Sequence, residues 1–187
     1  NPYHRVLLAL EAFVGAQEPI VRDDVLCAGA DFDEVAHDHA VELLRRMGHE
    51  HTTAEQTAEL LRKYFGYARV EVRYDITVED IKKEVAQGRP VIAPFAGRLL
   101  ENPYYTAPGP VYHMMVVKGF TKNGRIITND VGTRRGADFL YAPDVLENAI
   151  HDWHDTDITQ GRRAMIIVFP NADSADTAEP QESPAPR

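Results

Sequence analysis

YHMMVVKGF (112–120), the Asn123-Gly124 turn and RIITND (125–130) are the segments from which the architecture is read. The first is apolar at both alternating sets of positions, as a central strand with both faces covered must be. Asn-Gly tolerates the positive φ of a tight turn, so the third segment is expected to fold back as the hairpin partner of the first. An antiparallel hairpin sets the start of one strand beside the end of the next. His113 and Asp130, seventeen residues apart in the chain, are therefore expected to meet.

Working outward, ARVEVR (68–73) alternates like a half-buried strand, and PVIAPFA (90–96), DFLY (138–141) and RAMIIVF (163–169) supply further short strands. Between them, Thr77 caps a short helix running to Gly88, and Pro143 opens the helix DVLENAIHDW. Upstream the period changes to that of helices. Residues 3–14 and 33–47 read as helices, and a third begins at a capping box formed by Thr52 and Glu55, with Ala58, Leu61 and Phe65 on its inward face. Helices first and a mostly antiparallel sheet second make the class α+β. One domain over residues 1–170 is expected, followed by a tail, 171–187, without aromatic or large aliphatic residues and expected to be disordered. Tyr141 and Trp153 are expected to pack the core.

Composition narrows the functional classes. With 44% hydrophobic and 26% charged residues the chain is ordinary globular material. A net charge of −9, with Lys and Arg only in scattered pairs, argues against a nucleic-acid partner. No apolar run reaches the length of a membrane span. A single cysteine, Cys27, excludes an internal disulfide and a thiolate zinc site. His37-Asp38-His39 and His49-Glu50-His51 place imidazoles two apart. On a helix that spacing points them to different sides, so solvated helix ends are the expectation and no metal or other cofactor is assigned.

Gly88, Pro90 and Val91, then His113 opening an apolar strand, then Asn129-Asp130 after the next, resemble the cysteine peptidases related to bacteriocin-leader peptidases, family thirty-nine of that class and its relatives. The resemblance covers roughly residues 52–169 and departs at Val131, where the family usually has proline. It implies a papain-like fold, a peptide or protein substrate, His113 as general base and acid, and Asp130 as the group orienting the imidazole. It also implies a bacterial and often exported protein, although no signal peptide is visible. The family places its nucleophilic cysteine at the start of the first central helix, where the helix dipole lowers a thiol's pKa. Helix 3–14 opens on Asn1, Pro2 and Tyr3 instead. Three alternatives stay open. Cys27 is the nucleophile, the nucleophile lies upstream of Asn1, or it has been replaced and the domain binds peptides without turnover. The Tyr-rich loop 97–113, with Tyr104, Tyr105 and Tyr112, is expected to wall the substrate site, and Arg134 to pair a substrate carboxylate.

Overall fold

The computed structural model describes residues 52–131, 133 and 135–169, together with the backbone of 20–22 and 25–27. The expected helices 3–14 and 33–47, the two His-x-His stretches, Arg134 and the tail lie outside the described residues.

Strands β1 (Ile20–Arg22) and β2 (Val25–Cys27) form an antiparallel ribbon in which Cys27 pairs with Ile20, and β2 runs near the strand carrying His113. Helix α1 (Ala54–Tyr64) is followed by β3 (Val70–Tyr74), helix α2 (Val78–Val85) and β4 (Val91–Ala96). Next come β5 (Tyr112–Phe120), β6 (Ile126–Asn129), β7 (Phe139–Tyr141), helix α3 (Pro143–Ala149) and β8 (Ala164–Val168). The main sheet has the order β3-β8-β4-β5-β6-β7, and every paired neighbour is antiparallel.

Alternation of side chains divides the core between the two faces of this sheet. Met115 and Val117 of β5 pack with Ala93 and Phe95 of β4, Ile126, Tyr141, and the inward residues of α2 and α3, among them Ile81, Val85, Leu146 and Ala149. Met114 and Val116 face the other way, against Ile92, Ile166 and the inner side of α1, Ala54, Ala58 and Leu61. Both faces of β5 are thus covered, as its unbroken apolar run demands. His113 shares the parity of Met115 and Val117 and so lies on the α2/α3 face.

Two expectations are corrected. The box that opens α1 is formed by Thr53 and Gln56, not Thr52 and Glu55: Gln56 N donates to Thr53 Oγ1, and Thr53 N donates to Gln56 Oε1 at 2.9 Å. Thr52 is buried one residue outside the helix, where its carbonyl accepts the Tyr112 hydroxyl and its own hydroxyl accepts that of Thr57. Helix α3 stops at Ala149 rather than continuing to Trp153. Ile150 forms a bridge to Phe95 and His151 N donates to Pro94 O at 3.2 Å, so contact with the end of β4 outweighs continuation of the helix. The other helix expected from its cap opens as expected, with Thr77 and Asp80 capping α2 reciprocally, and ends at Val85, short of Gln87, in a turn that leads to Gly88.

Candidate active site

His113 sits second on β5, opposite Phe95 of β4. Asp130 directly follows the last residue of β6, whose Asn129 pairs with Val116. Extending that register by one sets Asp130 beside Met115, so His113 is its diagonal neighbour on the same face. The two side chains meet with Nε2 of His113 2.8 Å from Oδ1 of Asp130, and both are fully buried. A backbone bond from Asp130 N to Gly136 O, 2.8 Å, fixes the turn beyond β6. Gly136 is required there, because a Cβ would lie 1.6 Å from the Asp130 carbonyl oxygen.

Three further donors converge on the same carboxylate. Asn102 Nδ2 donates to Oδ2 at 2.7 Å, the Tyr141 hydroxyl donates to Oδ2, and the Tyr105 hydroxyl stands 3.0 Å from both oxygens. Asn102 Nδ2 also donates to the Tyr141 oxygen at 2.9 Å. Burial acts to raise the Asp130 pKa, but the hydrogen bond and charge of His113, with Tyr141 and Asn102, outweigh it and hold the carboxyl below its ordinary range. Burial, reinforced by the charge of Asp130, pushes both phenols up, so Tyr105 and Tyr141 stay protonated donors.

An ionised carboxylate only accepts, so Nε2 of His113 is the donor in this pair. The neutral ring then carries a bare lone pair on Nδ1. That atom is buried and has no hydrogen-bond partner among the described residues. The Tyr105 ring packs edge-on against the imidazole, with centroids 5.6 Å apart, and restricts its rotation. The arrangement holds one ring nitrogen as an oriented donor and leaves the other with a lone pair that no described residue engages.

The residues expected to contact substrate are distributed differently. Tyr105 turns inward to Asp130. Tyr104 is exposed, its hydroxyl accepting from Arg135 Nη1 at 3.2 Å. Tyr112 points to the α1 face, where its hydroxyl donates to Thr52 O at 2.9 Å and lies 3.1 Å from Asp152 Oδ1, so it is not grouped with His113. The side chain of Cys27 lies outside the described residues. Its backbone ends a strand, whereas a helix start would supply the dipole that activates a thiol. The loop after β4 encloses a pocket of about 310 Å³ whose lining includes Gly97, Arg98, Glu101, Asn102, Tyr105 and Gly109.

Asn102 and the second role of Tyr141 escaped the sequence reading. A tyrosine at a core position needs a partner for its hydroxyl, which was a usable signal for Tyr141. Nothing local marks Asn102. Among the described residues no group of three His, Cys, Asp or Glu is placed to hold a metal ion, and no helix is long and apolar enough to cross a membrane.

Two of the solved structures that align with the chain illustrate the likeness. A structure described as a C39-like peptidase from Bacillus anthracis is 15% identical over 65% of this chain and 60% of that one, with a TM-score of 0.47. A mutant fragment of prointerpain A from Prevotella intermedia is 19% identical over 73% of this chain and 43% of that one, with a TM-score of 0.41. The chain thus spans less than two thirds of the length of either. No curated protein matches it. The family model described as Peptidase_C39 like family matches residues 33–157, two thirds of the sequence and all of the His113–Asp130 hairpin, and the chain belongs to that family.

Proposed function

We propose that the protein is a cysteine peptidase-like hydrolase in which His113 is general base and general acid for a thiol nucleophile and Asp130 holds the imidazole in its productive tautomer. The observation that carries this reading is the division of labour on one buried ring, with Nε2 bonded to Asp130 and Nδ1 without a hydrogen-bond partner among the described residues. A thiol reaching Nδ1 gives up its proton there, and the thiolate attacks the carbonyl carbon of a peptide bond. Collapse of the tetrahedral adduct breaks the C–N bond, and His113 returns the proton to the departing amine. Water, deprotonated by the same Nδ1, then hydrolyses the acyl-thioenzyme and restores the thiol. Asp130 remains ionised throughout.

Cys27 is the single cysteine of these 187 residues and precedes His113 and Asp130 in the papain-like order. Its position at a strand end favours a second reading, a peptide-binding domain that keeps the fold and the His–Asp pair without turnover. Iodoacetamide labelling mapped by mass spectrometry, together with peptide-library digestion, separates the two. The hydrolase reading expects a thiol alkylated well below the ordinary thiol pKa of about 8.5. It also expects labelling slowed at least tenfold by His113→Ala, and cleavage abolished by substituting the labelled cysteine. A thiol of ordinary reactivity, indifferent to His113→Ala and without cleavage, would leave the binding reading in its place.

A further inference from the structure

We propose that Asn102, Tyr105 and Tyr141 are positioning residues that lock the rotamer of Asp130 and, through it, the Nε2–H tautomer of His113. The inference deepens the proposed function and rests on that reading for its consequence in catalysis.

A carboxylate has about four lone-pair directions. Here Oδ2 receives Asn102 and Tyr141, the Tyr105 hydroxyl lies 3.0 Å from both oxygens, and Oδ1 is left to His113. Rotation about the Asp130 side chain would break all of these contacts at once inside a buried site, where each donor left unpaired costs its full desolvation. The three donors come from different parts of the fold. Tyr141 stands on β7 with its ring in the core, centroid 4.8 Å from that of Phe139. Asn102 and Tyr105 lie on the loop after β4, and Asn102 is tied to it by accepting from Tyr104 N at 2.9 Å. Tyr105 additionally abuts the imidazole. The loop and the sheet edge therefore grip one carboxylate from two sides. A residue that merely filled space here would not need to present a hydrogen to Asp130, and all three do.

The test reads tautomer and titration, neither of which requires turnover. In the full chain labelled with nitrogen-15 and carbon-13, wild-type His113 is expected to show a single tautomer where the ring is neutral, pyrrole-type at Nε2 and pyridine-type at Nδ1. Tyr141→Phe, Tyr105→Phe and Asn102→Ala are each expected to admit the Nδ1–H tautomer. Each is also expected to raise the Asp130 titration midpoint, because each removes a hydrogen bond to the charged carboxylate. Tyr141→Phe keeps the ring in the core and decides the matter if Asn102→Ala does not fold. Variants that melt earlier while the tautomer and the Asp130 midpoint stay unmoved would overturn the proposal and make the three residues structural only. Tautomer mixing in a protein whose thiol shows no enhanced reactivity would uphold the positioning role while removing the hydrolase reading.

Discussion

Asp130 and Asp152 are both buried carboxylates, and their surroundings treat the charge in opposite ways. Asp130 faces an imidazole that can carry a positive charge, and its pKa is lowered despite burial. Asp152 is surrounded by neutral groups: Ala54 N donates at 2.9 Å, Trp153 N at 2.8 Å and the Tyr74 hydroxyl at 3.4 Å, and the Tyr112 hydroxyl, shared with Thr52 O, lies 3.1 Å away. There burial outweighs the hydrogen bonds and the pKa is raised. By linkage, the stability Asp130 contributes is present above its unfolded pKa of about 3.9 and is lost as pH falls through its lower folded value. The contribution of Asp152 is full below about 3.9 and is lost as pH rises through its higher folded value. Asp152→Asn imitates the protonated acid and removes that loss. In urea denaturation the stability of Asp152→Asn relative to wild type is expected to rise as pH increases above about 4. A flat or falling difference would contradict the assignment.

At the scale of elements, two adjacent threonines at the start of α1 offered two overlapping capping boxes, Thr52 with Glu55 and Thr53 with Gln56. Local sequence does not rank them. Tertiary contacts do, because Tyr112 and Thr57 engage Thr52 outside the helix and leave Thr53 as the cap. Thr53→Ala is therefore expected to cost about 1 kcal/mol, while Glu55→Ala, at an exposed position, should stay within about 0.5 kcal/mol. Thermal denaturation of the two variants checks the pair, and equal losses would return the cap to Thr52. The end of α3 departs from the expected Trp153 for a related reason. The period of DVLENAIHDW is helical, but Ile150 gains a bridge to Phe95 that no local pattern encodes. The strands are legible because short apolar runs and period-two patterns are local signals, and the expected bounds of β5 match those observed. Asp130 was read as the end of β6, and it lies one residue past the last paired position.

Across the described residues, the six-stranded sheet separates two apolar layers, and the His113–Asp130 pair belongs to the layer beneath α2 and α3. Ile166, fully buried on the α1 face, can be truncated without touching that layer. Ile166→Ala is expected to cost about 2–5 kcal/mol in chemical denaturation while leaving the tautomer of His113 unchanged by nitrogen-15 NMR. A tautomer shift in this variant would mean that the two faces are mechanically coupled. The sequence by itself determined the class, the central strand, the hairpin and the pairing of His113 with Asp130, because an unbroken apolar run and an Asn-Gly turn are short-range signals whose geometry is nearly forced. Only the tertiary structure decided which ring nitrogen meets the carboxylate and which threonine caps α1. It also decided that Tyr105 turns inward while Tyr112 serves the opposite face, and that Asn102 and Tyr141 close around Asp130. Those outcomes depend on donors brought together from segments 28 and 11 residues away from the carboxylate, and burial makes each donor find an acceptor wherever the packed chain supplies one.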